Sequence, residues 1–273
     1  MSKVPSQTRL ELPSPDKSLG QHFLRDQNII QQICHDFKDQ AEAIVEIGPG
    51  PGILTEHLAL MGLPYFVIEK DTRFGVYLDQ FLNKDQITLD DALQVELSTF
   101  FKEKNISGKK IWLVSNLPYN IATPLLVNFL QATDIKYMTL MFQKEVADKV
   151  FPFATTKNFM GSLLVLCQSF FECNLLVKVP PGAFAPPPKV DSAVITFVRR
   201  EIPLVPMAEF RTLEKFLRQM FSQRRKQIGG VLKSYYKPEI IKESFDSLGL
   251  STTLRSEVLT LEHVLELYRK LRS

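Results

Sequence analysis

Five short apolar runs, at 43–47, 65–68, 86–89, 111–114 and 137–142, alternate with helical stretches such as 53–61 and 123–130. This alternation constrains the fold more than any other feature of the chain. Runs of strand length joined by helical crossovers form a parallel sheet with both faces covered. Two further strand candidates, 171–179 and 192–199, are joined by the Pro-rich stretch 180–189 instead of a helix, so the sheet is expected to end in an antiparallel pair. The expectation is therefore an α/β chain with a mostly parallel, seven-stranded sheet. Ahead of it, Asp26 opens a helical stripe of Ile29, Ile30, Ile33, Cys34 and Phe37. Beyond residue 206, stripes at Phe210, Leu213, Phe216 and Leu217 and at Leu261, Val264, Leu265 and Tyr268 predict a small all-α domain. Pro203 and Pro206 interrupt the pattern between the two parts. The expected organisation is a flexible Ser- and Pro-rich arm at 1–18, an α/β domain at 19–203 and a helical domain at 204–273.

Composition removes several classes. With 45% hydrophobic and 23% charged residues among 273, the chain has the makeup of a globular protein. No apolar run approaches the roughly 18 residues of a membrane span, and the first 20 residues lack the apolar core of a secretory signal. A cytoplasmic, membrane-free protein is the expectation, and without a long exposed apolar stripe, a monomer. Cys34, Cys167 and Cys173 stand singly, which predicts buried free thiols and neither a disulfide framework nor a metal site. The net charge of +3 is unevenly spread, because residues 205–273 hold 13 Lys and Arg against 8 Asp and Glu. From Lys215 to Lys237 there is no acid, and Phe221, Tyr235 and Tyr236 are interleaved with the bases. Such a stretch is either a solvated helix face or a phosphate-binding patch.

The first apolar strand runs directly into Glu46-Ile47-Gly48-Pro49-Gly50-Pro51-Gly52. Glycines at a strand-to-helix bend admit a ligand close to the backbone. The third glycine is too near for the dinucleotide fingerprint, and Glu46 would repel a pyrophosphate. A ligand with positive charge, such as the sulfonium and amino group of S-adenosylmethionine, suits the turn better than NAD. Glu69 ends the second strand about 20 residues beyond Glu46, where a carboxylate accepts from ribose hydroxyls in doubly wound sheets. Asp91 follows the third strand and suits an exocyclic adenine amine. After the fourth strand comes Asn116-Leu117-Pro118-Tyr119-Asn120, at the sheet edge where ligands gather. An Asn carbonyl and a backbone carbonyl are neutral acceptors for one amino group, and an adjacent aromatic can hold a flat ring.

Taken together, Leu19 to Leu24, Glu46 to Gly52, Val67 to Lys70, Asp91-Ala92, Asn116 to Asn120, Gln143 to Val146, Pro180 to Ala193 and Gln223 to Lys226 resemble the ribosomal RNA adenine N6,N6-dimethyltransferase family over nearly the whole chain. Val179 to Ser192 and Ser222 to Lys226 resemble most closely its KsgA branch, which acts on small-subunit RNA. The resemblance implies a Rossmann-like class I methyltransferase fold. It also implies an S-adenosylmethionine-dependent enzyme that dimethylates two adjacent adenosines in a hairpin loop near the 3′ end of 16S-type RNA and serves subunit biogenesis. The small ribosomal subunit is the implied partner. The implied cofactor contacts are His22, Leu24, Gly48, Glu69, Asp91 and Asn116, with Asn116, Pro118 and Tyr119 at the target amine. Phe184 falls at the aromatic that covers the base from the other side, and Arg224, Arg225 and Lys226 fall at the phosphate contacts.

Two departures stand out. His22 replaces the family's usual Asn in Gly-Gln-Asn-Phe-Leu, and Gly229-Gly230 replace the usual Arg or Lys and Asn residues after Lys226, which implies a weaker phosphate grip there. The rival readings are the branch that methylates a large-subunit adenine, disfavoured by Gln223 to Lys226 and the triple proline, and a non-catalytic RNA-binding assembly factor, disfavoured by the intact acids and Asn116.

Overall fold

A computed structural model describes residues 22–151 and 160–272. The strands are β1 (Phe23–Leu24), β2 (Ala43–Ile47), β3 (Tyr65–Glu69), β4 (Ile87–Leu89), β5 (Ile111–Asn116), β6 (Ile135–Gln143), β7 (Phe171–Val179), β8 (Phe184–Ala185) and β9 (Ser192–Arg199). The helices are α1 (Gln27–His35), α2 (Thr55–Leu58), α3 (Gly75–Leu78), α4 (Leu97–Glu103), α5 (Ala122–Gln131), α6 (Lys144–Val150), α7 (Ser162–Phe170), α8 (Phe210–Met220), α9 (Ile228–Leu232), α10 (Pro238–Asp246) and α11 (Leu261–Leu271). Seven strands form one mostly parallel sheet in the order β4-β3-β2-β5-β6-β9-β7. β1 and β8 pair separately and antiparallel, Phe23 opposite Ala185 and Leu24 opposite Phe184.

The strand order explains where a site can form. The chain moves outward through β2, β3 and β4, then returns to lay β5 on the other side of β2, with Glu46 level with Val67 on one flank and Val114 on the other. Connections leave β2 and β5 in opposite directions, which opens a crevice between their carboxyl ends. Every residue of β2 is buried, as are Ile111 to Val114 of β5. Strands covered on both faces read as near-continuous apolar runs, and these do, with Glu46 the one charged residue among them.

Local chemistry sets the flanking elements. Asp26 Oδ1 accepts from the backbone N–H groups of Asn28 and Ile29 at 3.0 and 3.1 Å, a cap that contributes about 1 kcal/mol. It fixes the start of α1, whose Ile29, Ile30, Ile33 and Cys34 are buried. The stretch 53–61 is not one helix. It is the single turn of α2 followed by a 3-10 turn at Ala59–Met61, which ends at Gly62 with φ of 72°. The Gly-Pro turn ahead of it consumes the residues that would have lengthened the helix.

The described residues divide into two compact units, 22–143 with 176–194, and 144–151, 160–175 and 195–272. The second therefore includes α6 and α7 as well as the C-terminal helices. Within it, the Phe170 and Phe210 rings lie 5.2 Å apart, and Leu204 N–H donates to the Ser169 carbonyl at 2.9 Å. Phe216 meets Tyr268 at 5.5 Å, tying α8 to α11. The arm expected at 1–18 lies outside the described residues. Cys34 and Cys167 are buried and Cys173 is partly so, all as free thiols. Among the described residues there is no metal-binding cluster, and no helix is long and apolar enough to cross a membrane.

Candidate active site

In the first unit a cavity opens at the carboxyl ends of the strands, lined by His22, Leu24, Gly48, Glu69, Asp91, Asn116, Pro118 and Tyr119 together with Glu46 and Lys70. Residues spread over 98 positions of sequence are brought together by the switch between β2 and β5. Phe184 and the Arg224 to Lys226 run do not line this cavity.

The glycine turn forms its floor. Gly48 N–H donates to the Ile68 carbonyl at 2.9 Å, and Gly50 N–H donates to Glu69 Oε2 at 2.8 Å. At Gly52, φ is +90° and an added Cβ would come within 2.9 Å of the Phe81 ring, so only glycine lets the turn close. Glu69 also accepts from Asp71 N–H at 2.7 Å through Oε1. Burial raises its pKa, against the opposing pull of those backbone donors. Each carboxylate oxygen has a second acceptor site, so hydroxyl groups of a ligand can add without displacing the turn.

Asp91 is held differently. Lys70 Nζ lies 2.7 Å from Oδ2, Leu93 N–H donates to Oδ1 at 3.0 Å, and these bonds, the lysine first, lower the acid's pKa. Glu46 is 2% exposed, and its Oε2 accepts from the Thr55 hydroxyl at 2.7 Å and from the Tyr65 hydroxyl. Burial pushes its pKa up to about 7; the two hydroxyl donors oppose the shift and the Glu69 charge adds to it.

The Asn116 turn carries the most informative geometry. Asn116 Nδ2 donates to the His22 carbonyl at 3.1 Å, which turns Oδ1 into the remaining acceptor of the amide. The Pro118 carbonyl accepts from Ile121 N–H at 3.1 Å and keeps a second lone pair. Tyr119 is half-buried, its hydroxyl 3.0 Å from Ser192 Oγ, and burial raises its pKa. His22 stacks on Tyr119 with ring centroids 5.6 Å apart and meets Phe184 edge-on at 6.5 Å. Phe184 itself is only 4% exposed.

In the second unit Arg224, Arg225 and Lys226 are all exposed, directly after α8, and Arg224 Nη2 reaches the Met160 carbonyl at 3.4 Å. The first of the two glycines that follow has a packing reason, while Gly230 faces open space. Gly229 N–H donates to the Thr252 carbonyl at 2.9 Å, and a Cβ there would stand 2.7 Å from Thr252 Cβ. A larger residue would push α9 off the 251–254 loop.

The sequence reading did not single out Lys70, Ser192, Thr55 or Tyr65 as partners of site residues. Lys70 and Ser192 sit inside motifs already noticed, Val67 to Lys70 and Pro180 to Ala193, and adjacency to an acid or to the proline loop was the available signal. Thr55 and Tyr65 gave none, since their roles depend on how β3 and α2 meet at Glu46.

This donor set fits an adenosyl sulfonium ligand: two strand-end carboxylates, a glycine turn open to the cavity, a neutral amide, and no phosphate-binding base along the turn. Residues 14–272 match the profile of the family described as ribosomal RNA adenine dimethylase. The chain belongs to this family. A ribosomal RNA small subunit methyltransferase A from Staphylococcus haemolyticus is 35% identical over 264 residues, covering 93% of this chain and 89% of the relative. One of the same name from Alcanivorax borkumensis is 36% identical over 250 residues, covering 90% and 86%. Among solved structures, the 23S rRNA methyltransferase ErmE superposes with a TM-score of 0.67 at 25% identity, over 92% of this chain and all of that one. A dimethyladenosine transferase from Plasmodium falciparum gives a TM-score of 0.71 at 23% identity, over 90% and 96%, and supports the Rossmann-like methyltransferase fold. The chain is thus a ribosomal RNA adenine dimethylase built on that fold.

Proposed function

We propose that the protein dimethylates N6 of two adjacent adenosines in a hairpin loop near the 3′ end of small-subunit ribosomal RNA, with S-adenosylmethionine as methyl donor, during subunit maturation. The observation that carries this reading is the Asn116 amide. With Nδ2 committed to the His22 carbonyl, Oδ1 is presented as an acceptor beside the Pro118 carbonyl and the Tyr119 ring. The likeness to relatives named for the small subunit, including the two above, supports the choice of RNA.

Glu69 would hold the ribose, Asp91 the adenine amine, and Gly48, Leu24 and Asn116 the rest of the cofactor. Bound there, S-adenosylmethionine supplies a methyl group activated by its sulfonium. The protein's own task concerns the target amine, whose lone pair is delocalised into the ring. Asn116 Oδ1 and the Pro118 carbonyl accept its two hydrogens, which favours a pyramidal nitrogen with a localised lone pair. No base is required before transfer: the nitrogen takes the methyl as the C–S bond breaks, and the resulting cationic amine then releases its proton to water. The base must leave its stack, at a cost of a few kcal/mol, and stacking on Tyr119 offsets that by about 1–3 kcal/mol. Phe184, covered by its neighbours in the RNA-free protein, would complete the slot from the other side once exposed.

Titration with S-adenosylmethionine and, separately, NAD tests the cofactor assignment: tight binding of the first alone is expected, and tight binding of NAD alone contradicts it. Glu46 adds a pH signature. A cationic ligand favours its charged form, so affinity for S-adenosylmethionine should rise by up to about tenfold per unit as pH rises toward 7, then level off above it. Calorimetry from pH 5.5 to 8.5 reads this, and Glu46→Gln should flatten the profile. An affinity that falls over this range would show that Glu46 does not sense the ligand's charge.

In the helical unit, Arg224, Arg225 and Lys226 would contact RNA phosphates. Reversing Arg224 and Arg225 to Glu should weaken binding of small subunits by about tenfold or more at 0.1 M salt while leaving cofactor affinity unchanged. Equal loss of both would point to misfolding.

A further inference from the structure

The His22 side chain makes its contacts away from the glycine turn and the strand-end acids. Its ring lies against Tyr119, centroids 5.6 Å apart and planes 29° apart, and meets Phe184 at 6.5 Å and 74°. Nδ1 donates to the Pro186 carbonyl at 2.8 Å. Tyr119 and Phe184 are the two rings assigned above to the target adenine, and Pro186 lies beside the second. One imidazole thus touches both sides of the expected base slot, and the β1–β8 pairing that sets Phe23 opposite Ala185 holds it there.

A flat base inserted between His22 and Tyr119 would need ring planes roughly 7 Å apart, twice the contact distance of carbon atoms. The two centroids are closer than that. The stacking face of Tyr119 on the His22 side is therefore taken, by a side chain that is itself a small planar heteroaromatic with an N–H donor.

We propose that His22 is a place-holder for the target adenine: in the RNA-free protein its ring covers the stacking face of Tyr119, and the entering base displaces it. This rests on the reading of Tyr119 and Phe184 as the base slot. It moves the His22 side chain from the cofactor group to the substrate group, while its backbone carbonyl stays where it orients Asn116. Base entry becomes an exchange of one stacked ring for another, which keeps the apolar slot covered until RNA arrives. Because only the fraction of protein with His22 displaced can accept the base, the apparent affinity for RNA is lowered by that fraction.

Removing the ring while keeping the backbone tests this. His22→Ala should lower KM for small subunits by about tenfold, with kcat no lower than wild type and S-adenosylmethionine affinity within about threefold. His22→Asn keeps a side-chain donor for Pro186 but no ring, and should behave the same way, which guards against a folding defect in the first variant. In a Tyr119→Ala background the face to be protected is gone, and His22→Ala should no longer change KM. A raised KM, or a tenfold loss of cofactor affinity, in both His22 variants would overturn the proposal and make His22 a direct contact of base or cofactor. If Tyr119→Ala leaves kcat/KM unchanged in the wild-type background, the base-slot reading fails with it. If Tyr119→Ala is damaging but KM does not fall in the His22 variants, the place-holder alone is wrong.

Discussion

Replacing Asn116 with Ala should lower kcat for methyl transfer by about a hundredfold to a thousandfold, the range found when a preorganised polar group facing the reacting atoms is removed. The fall should appear in single-turnover transfer to small subunits, with S-adenosylmethionine affinity changed far less. In the proposed mechanism Asn116 Oδ1 is the acceptor for the amine, and its orientation depends on the Nδ2 bond to the His22 carbonyl at 3.1 Å. Asn116→Asp separates the two contributions. It keeps an acceptor but sets a second oxygen against the His22 carbonyl, so the carboxylate turns away, and the variant should fall between Ala and wild type. Both methylation steps should slow in Asn116→Ala, because the singly methylated amine still has one hydrogen to donate. Wild-type turnover in that variant would refute the acceptor mechanism.

Loss of the Tyr119 ring is the second large effect. Stacking is worth about 1–3 kcal/mol per base, so Tyr119→Ala should reduce kcat/KM by roughly 5- to 150-fold. Tyr119→Phe keeps the ring and loses only the hydroxyl contact with Ser192 at 3.0 Å. That contact contributes about 1 kcal/mol to local order, so Phe should remain within several-fold of wild type. If Phe were as damaging as Ala, the hydroxyl and not the ring would carry the effect.

Much of this architecture was legible because the physics is local. The strand at 192–199 is β-branched and aromatic enough to read to the residue, and the buried strands 43–47 and 111–114 read as apolar runs interrupted only at Glu46. That Gly48, Glu69, Asp91 and Asn116 line one cavity was legible because in a doubly wound sheet the carboxyl end of each strand is a predictable place. What remained hidden depends on contacts between distant segments. β1 and β8 are two residues each, too short to show any periodicity, yet their pairing carries His22 to Phe184 across about 160 positions and sets it beside Tyr119. The inclusion of 144–151 and 160–175 with the C-terminal helices likewise depends on Phe170 meeting Phe210, a contact that Pro203 and Pro206 do not announce.

Glu46 shows a subtler limit. Its position beside the glycine turn was evident, and a negative charge facing the ligand was the natural reading. The fold instead surrounds one of its oxygens with the Thr55 and Tyr65 hydroxyls and buries it, so its charge depends on pH near neutrality. Lys70 does the opposite for Asp91, fixing it as an anion. Identical side-chain types at neighbouring strand ends thus acquire different electrostatics from their partners.

The central claim is tested most directly by transfer of labelled methyl from S-adenosylmethionine to unmethylated small subunits, large subunits and protein-free RNA, with nucleoside mass analysis of the products. N6,N6-dimethyladenosine in small-subunit RNA, and none in large subunits, is the predicted result. Label confined to large-subunit RNA, or binding of small subunits without any transfer, would contradict it.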